Sequence, residues 1–368
     1  MKIGITGIRG LIGWHLHTFL YGQQGIEVIE GNRSNFSEKS RLADFVSACD
    51  VIVHLAGMNQ GSDEEIISTN IELSESLIEA CERQKHVPHI IFSSSTHIYR
   101  DSAYGRSKKI CADKLREWAN RNQGIFTNLI LPHVFGECGK PFYNSVVSTF
   151  CYQFANAQVP KIDQDRQLEL VHAQEVAKRI YELAASPENG DVVFPGTPIS
   201  VSAMLNKVGS LAESYSNHII PDLLDKLNLN LFNPYRSYLF PQSFPRTLEL
   251  HKDNRGELFE ASKSLNGGQT FVSTTVPGIT RGNHFHLNKV ERFLVIRGDA
   301  TIRIRRMFHE EIFEFHVSGN KPQYIDMPTL HTHNITNIGE SQLVTVFWSH
   351  EIFDPSNPDT FSEPVEKI

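Results

Sequence analysis

Two constellations of reactive side chains stand out, one in each half of a 368-residue chain. In the first half, Tyr104-Gly-Arg-Ser-Lys108 follows the serine run Ser93-Ser94-Ser95. Residues four apart on a helix share a face, so the Lys108 ammonium can lower the pKa of the Tyr104 phenol and orient a cofactor ribose. A nearby serine hydroxyl can hold a carbonyl oxygen. A proton donor, an oxygen anchor and a positioned nicotinamide are what hydride transfer to a ketone requires. In the second half the reactive residues are His284, His286, Glu291 and His333. Residues two apart in a strand point the same way, so His284 and His286 can look into one interior, with Glu291 on the neighbouring strand and His333 on a distant one. Three nitrogens and one oxygen suit Zn²⁺ or another first-row divalent ion and leave room for water or substrate.

The tyrosine needs a dinucleotide beside it. Gly7, Gly10 and Gly13 form GxxGxxG directly after the strand-like KIGIT and at the start of a helical segment. Missing side chains let that backbone approach a pyrophosphate, which the helix N-terminus then holds. The second strand runs into EGNRSN, where Arg33 can pair with a 2′-phosphate and Arg9 of the glycine loop can assist, favouring NADPH over NADH. Glu30 is the alternative, an acid for the ribose hydroxyls, and either arginine could equally be a solvated surface charge.

These residues must be carried by regular elements. Short apolar strands alternate with helix-length segments: KIGIT, residues 11–22, IEVIE, VIVHLAG, a helix near 64–84, HIIFSSS, a helix from near Tyr104, and FTNLILP. That order predicts a Rossmann-type, doubly wound parallel sheet with helices on both faces. Residues 132–145, rich in Gly, Pro and aromatics, form a connection placed for substrate contacts. From about residue 249, seven apolar runs from QTFVSTTV to QLVTVFW follow one another without a helical insert, predicting an all-β sandwich or jelly-roll barrel. Pro234, Pro241 and Pro245 mark an irregular connection, which divides the chain into residues 1–243 and 244–368.

Composition narrows the function classes. A formal charge of −7 gives no global attraction to nucleic acid, and no apolar run reaches membrane-spanning length. Five cysteines without a CxxC pair are neither a disulfide framework nor a thiolate metal site. With no cleavable leader at the N-terminus, a reducing, cytoplasmic setting is expected.

Together, the glycine loop, the His54-Leu55-Ala56-Gly57 segment, the serine run and the Tyr104/Lys108 pair resemble the extended short-chain dehydrogenase/reductase family over roughly residues 1–240. The resemblance implies a nucleotide-sugar substrate, with Tyr104 as acid/base, Lys108 as its partner and Ser95 as the carbonyl anchor. It places His54, Leu55, Ala56 and Gly57 along the adenosine and nicotinamide ribose, and Asn70 as a brace of the active site. Thr96 and His97 stand where 4,6-dehydratases of the family carry an Asp-Glu pair, so dehydration is disfavoured. Arg166 either meets a diphosphate or forms an ion pair with Glu169 or Asp163.

The second constellation, with Gly282, Gly298, Pro328 and Asn337, resembles the two cupin motifs, Leu330 replacing a usual glycine. The fused order, with FYNSVVSTFCYQFA, GITRGNHFH and HEIFDPSNPDT, resembles bifunctional enzymes of capsular-polysaccharide synthesis. That resemblance implies zinc-dependent epimerisation at C3 of a UDP-4-keto-6-deoxy-HexNAc by the cupin. NADPH reduction at C4 then gives UDP-2-acetamido-2,6-dideoxy-L-talose, on the route to UDP-N-acetyl-L-fucosamine. A homodimer is implied as well. Lys289, Tyr324 and His331 are the candidates for proton transfer in the cupin. Two alternatives stay open: a simple reductase whose β-domain only dimerises around a structural metal, and a non-catalytic NADPH sensor that recruits a partner protein.

Overall fold

Strands buried on both faces read as continuous Val/Ile runs, and the first half of the chain obeys this rule. In the computed structural model, which describes residues 1–254 and 256–367, β1 (Lys2–Thr6), β2 (Glu27–Gly31), β3 (Val51–His54), β4 (His89–Ser95) and β5 (Phe126–Leu131) belong to one sheet. Between them lie α1 (Leu11–Tyr21), α2 (Arg33–Ser37), α3 (Lys39–Ser47), α4 (Asp63–Gln84) and α5 (Ala103–Arg121). After β6 (His133–Phe135) the chain forms α6 (Val146–Ala155), then β7 (Gln167–His172), α7 (Ala173–Ala185), β8 (Gly190–Val193) and β9 (Thr197–Ser200). The main sheet is parallel, in the order β2-β1-β3-β4-β5-β8.

Alternate residues of each strand feed two cores: Val51, Val53 and Ile91 pack with α1 and α7, while Ile52, Ile90 and Phe92 pack with α3, α4 and α5. The sheet order reverses at β1, so a crevice opens beyond the carboxyl ends of β1 and β3, the usual ligand position in such sheets.

The rest of the chain is helical and then antiparallel. α8 (Val201–Ser216) and α9 (Lys226–Ser237) flank β10 (Ile219–Ile220), and β11 (Arg246–Thr247), β12 (His251–Asp253), β13 (Gly256–Leu258) and β14 (Lys263–Ser264) are short. The longer strands are β15 (Gln269–Thr275), β16 (Thr280–Phe285), β17 (Glu291–Arg297), β18 (Asp299–Arg306), β19 (Ile312–Ser318), β20 (Gln323–Met327), β21 (His331–Asn337) and β22 (Leu343–Ser349), followed by β23 (Phe361–Ser362). They build two five-stranded antiparallel sheets, β11-β20-β17-β22-β15 and β19-β18-β21-β16-β23.

The chain divides into two compact units, residues 1–135 with 167–199, and residues 136–166 with 200 onward. The position 243/244 expected as a boundary lies inside the second. One sequence expectation fails here: Pro234 is not in an irregular connection but inside α9, where Phe232, Pro234 and Tyr235 are buried. Pro241 and Pro245 do follow the helix end.

A buried ionic network explains why α8 and α9 condense with the β-strands. Arg292 pairs bidentately with Asp326, at 2.7 and 2.9 Å, and its guanidinium lies 3.6 Å from the centroid of the Tyr324 ring. Tyr215 of α8 donates to the same carboxylate at 2.5 Å, and Arg236 of α9 donates to the Met327 carbonyl at 3.0 Å. Removing one partner of a buried pair leaves the other charge stranded at a cost of about 3–5 kcal/mol. Asp326→Ala is therefore expected to lose stability of about that size, read as a lower denaturant midpoint, whereas an unchanged midpoint would contradict the network's role.

Candidate active site and metal centre

In the first unit the site grows from the end of β4. The Ser102 hydroxyl caps α5 by accepting from the Gly105 amide at 3.1 Å, which starts the helix just before Tyr104. Lys108, one turn on, is almost fully buried, and its ammonium donates to the Ser93 carbonyl at 2.8 Å. It lies 4.6 Å from the Phe92 ring centroid and 5.7 Å from that of Tyr104. Burial pushes its pKa down to about 8. Asn70 of α4 donates to the Met58 carbonyl at 2.9 Å and accepts from the Met58 amide at 2.6 Å. Its amide also donates to the Ser107 hydroxyl at 2.9 Å, tying α4 to α5. Ser95 Oγ accepts from the His97 amide at 3.3 Å, which leaves its hydroxyl proton for another acceptor. Ser94 is more deeply buried and points to the other side of its strand.

The glycine loop sits where the crevice opens. Gly7 has φ +71°, and a side chain there would lie 2.8 Å from the Ala56 amide nitrogen, so the loop after β1 packs directly on the segment after β3. Gly10 is exposed, while Gly13 is buried against the Gly7 carbonyl and Ile8. Thr6 organises the same junction: its hydroxyl accepts from the Leu55 and Ala56 amides at 3.1 and 3.2 Å and meets His54 Nδ1 at 2.8 Å. Burial, with Lys108 adding to it, holds His54 down to about 3, and because the Thr6 oxygen already accepts from two amides its hydroxyl donates to His54 Nδ1. His54 is thus interior, stacked on Phe92, while Leu55 and Ala56 are half-buried and Gly57 is exposed. Arg9 in the loop and Arg33 at the start of α2 are both exposed, as is Glu30 at the end of β2. Thr6, Met58 and Ser107 escaped sequence reasoning because nothing in their spacing sets them apart. Arg166 belongs to the second unit, where it is exposed and its carbonyl accepts from the Val201 amide.

In the second unit His284, His286, Glu291 and His333 converge, their ligand atoms all within 4.8 Å of one another. The geometry corrects the expected placement. Glu291 opens β17 in the sheet opposite β16, and His286 lies just past the end of β16. A bulge at Asn283, φ 61°, shifts the register so that His284 stands opposite His333 on β21. Gly282, at φ +100°, lets β16 lie close to β21, since a side chain there would meet the His333 carbonyl at 2.8 Å.

Hydrogen bonding fixes the tautomers. His286 Nδ1 faces the Asp359 carbonyl at 2.6 Å and His333 Nδ1 faces the His331 carbonyl at 3.2 Å. A carbonyl only accepts, so both Nδ1 atoms carry hydrogen and both Nε2 atoms face the cluster. His333 Nε2 is buried without a hydrogen-bond partner. His286 Nε2 lies 3.0 Å from Glu291 Oε2, a contact that needs a positive charge, either a proton or a metal ion, between the two atoms. Burial, followed by the neighbouring His333 and His286, holds His284 down to about 3, and the two imidazoles beside Glu291 hold its carboxyl well below the usual range despite burial. A carboxylate with three imidazoles fits a divalent cation of the zinc type.

The three proton-transfer candidates separate. Tyr324 pairs in register with Leu294, while Glu291 pairs with Met327, an odd number of residues away, so Tyr324 lies on the opposite face of its sheet from the cluster and is removed as a candidate. His331 is buried, its Nδ1 bonded to the Thr329 carbonyl at 2.8 Å and its ring 5.3 Å from Phe240. Lys289 donates to the Pro358 carbonyl at 2.6 Å.

The low pKa of Lys108 has a thermodynamic signature. Between about 8 and the ordinary 10.5 the unfolded chain holds a proton at this site that the folded chain has released, so folding gains stability as pH rises through that window. Against Lys108→Met, the wild-type unfolding free energy is expected to rise by about 3 kcal/mol across those pH values, and a flat difference would refute the buried, low-pKa ammonium.

Comparison with known proteins agrees with this architecture. Residues 3–194, just over half the chain, match the NAD dependent epimerase/dehydratase family, and residues 251–361 match the polysaccharide biosynthesis C-terminal domain. The chain is 30% identical over 367 residues to the UDP-2-acetamido-2,6-beta-L-arabino-hexul-4-ose reductase of Pseudomonas aeruginosa, covering 98% of each. It is 31% identical to the capsular polysaccharide assembling protein CapF from Staphylococcus aureus, with a TM-score of 0.64 over 99% of this chain and 100% of that one. The RMD protein of Pseudomonas aeruginosa, solved in complex with NADPH, shares the fold at 17% identity and a TM-score of 0.52, covering 58% of this chain and 84% of its own. A glycine loop at the sheet's crevice, a tyrosine–lysine pair beyond β4 and these matches together make the chain a member of the NAD dependent epimerase/dehydratase family.

Proposed function

We propose that this protein is a bifunctional nucleotide-sugar enzyme. Its first unit reduces the C4 ketone of a UDP-4-keto-6-deoxy-HexNAc with NADPH, and its C-terminal β-domain, read as a cupin, inverts C3 beforehand to give UDP-2-acetamido-2,6-dideoxy-L-talose. The observation that carries the reading is the buried Lys108 ammonium 5.7 Å from the Tyr104 ring centroid, on the helix that follows β4, in a chain alignable over nearly its full length with a UDP-sugar 4-keto reductase.

Each residue has a task in the reduction. Ser95, its oxygen already accepting from the His97 amide, donates its hydroxyl proton to the substrate carbonyl. Tyr104 hands its phenolic proton to the same oxygen as that atom becomes an alkoxide, and the Lys108 ammonium stabilises the phenolate left behind. Gly7, Gly10, Gly13 and Arg9 would hold the pyrophosphate of a nicotinamide dinucleotide, Arg33 would meet its adenosine ribose and the Leu55–Gly57 segment would border it, and the dinucleotide would supply the hydride. Asn70 keeps α4 and α5 in register around Lys108.

In the β-domain, His284, His286, Glu291 and His333 would hold a zinc-type ion, which supplies positive charge for the enolate that forms when the carbon beside the ketone loses its proton. Lys289 and His331 remain candidates for moving that proton. Arg166, exposed in the second unit, is proposed as a contact for the substrate diphosphate, and a homodimer as the assembly. Among the described residues no helix is long and apolar enough to cross a membrane.

Incubating the protein with a UDP-4-keto-6-deoxy-HexNAc in heavy water, with and without NADPH, and reading the products by NMR tests both halves. Tyr104→Phe should lower NADPH oxidation by about 10²–10⁴-fold while leaving deuterium uptake beside the ketone intact, and rapid reduction by this variant would reject the assignment. His284→Ala should abolish the uptake and spare reduction of a substrate that already has the inverted centre. Metal binding with no deuterium uptake in the wild type would leave a reductase with a structural β-domain.

A further inference from the structure

Four residues, Leu287 to Val290, connect the metal-site residues His286 and Glu291, and their backbone amides turn away from the turn itself toward one distant segment. The Leu287 amide donates to Asp359 Oδ1 at 2.9 Å, and the Asn288 and Lys289 amides donate to Asp359 Oδ2 at 2.9 and 2.8 Å. The Val290 amide donates to His350 Nδ1 at 3.1 Å, and the His350 amide returns a bond to the Val290 carbonyl at 3.1 Å. The main-chain carbonyl of Asp359 is also the acceptor that fixes the His286 tautomer, at 2.6 Å. Lys289 fastens the same strap from its side chain, donating to the Pro358 carbonyl at 2.6 Å with Glu351 Oε1 at 3.7 Å.

A turn whose consecutive amides bond to nothing within it has no local reason to keep its shape. The carboxylate and carbonyl of one residue therefore set both the path of the turn and the ring orientation of one ligand. Asp359 sits in the left-handed region, φ 39°, a conformation that aspartate adopts more readily than most residues.

We propose that Asp359 is a positioning residue of the metal centre, pre-forming the His286–Glu291 turn through the 350–360 strap. The proposal rests on the reading that His284, His286, Glu291 and His333 bind a divalent cation. Residues that orient a metal's ligands typically govern its affinity by 10- to 100-fold.

The test measures Zn²⁺ affinity of the full chain against a competing chelator, and the visible spectrum of the Co²⁺-substituted protein, for wild type, Asp359→Ala, Asp359→Asn, Asp354→Ala and His284→Ala. Asp359→Ala is expected to bind Zn²⁺ about 10- to 100-fold more weakly and to shift the Co²⁺ bands. Asp359→Asn, which keeps one acceptor oxygen, should fall between it and the wild type. Asp354, on the same strap but bonded to Ser356, should leave affinity unchanged when replaced by Ala. If Asp359→Ala does not fold by circular dichroism, Asp359→Asn decides. Wild-type affinity and spectrum in the folded Asp359 variants overturn the proposal, as does an equal loss in Asp354→Ala. A wild type that binds neither ion any better than His284→Ala overturns the metal reading itself, and the positioning role with it.

Discussion

A charge removed from water must be met by a partner, and two clusters of this protein strain that rule. Lys108 is buried with the Ser93 carbonyl as its hydrogen-bond acceptor and the Phe92 ring beside it, so its ammonium is held only loosely in the charged state. Such a group responds strongly to any negative charge forming nearby, including a phenolate at Tyr104. Glu291 is the opposite case, a carboxylate kept ionised against burial by imidazoles, in a cluster where His333 Nε2 is buried without a hydrogen-bond partner. Arg292 and Asp326 show the rule satisfied: bidentate, capped by Tyr215 and roofed by Tyr324, they leave nothing for a ligand to do. These buried charges thus differ in whether their partners are complete.

Backbone proximity supplies the rest of the first site. The strand order of the parallel sheet reverses at β1, and the loops after β1 and β3 meet so closely that Gly7 abuts Ala56. Thr6 and His54 lock that contact from below, one hydroxyl serving two amides and one imidazole. The second site depends on a bulge and a strap. Asn283 re-aims His284 toward His333, and residues from the 350–360 segment satisfy every amide between His286 and Glu291.

Much of this was legible in the chain. The parallel sheet showed in the Val/Ile runs because burial on both faces leaves no polar alternation, and the β-domain showed in its unbroken succession of short strands. His284, His286, Glu291 and His333 could be chosen together, since their spacing is a motif, although Glu291 proved to come from the opposing sheet. The stretch from α8 to α9 was illegible: Pro234 reads as a helix breaker, yet α9 carries it within a helix whose buried residues include Leu231, Phe232 and Tyr235. Tyr324 passed as a proton donor because residue type says nothing about face, and one step of strand register settles the matter.

By itself the sequence determined which residues could react and which elements carry them, because helix and strand periods are local and short motifs such as YGRSK or HFH lie within one element or beside it. Only the tertiary structure decided what those residues meet. The Lys108 acceptor, the Asn70 brace, the tautomer of His286 and the hold of Asp359 on the turn before Glu291 all join positions far apart in the chain. Hydrogen-bond complementarity across such distances leaves no periodic trace in one sequence, since a carboxylate that accepts three amides of a turn is spelled the same way as one that merely faces water.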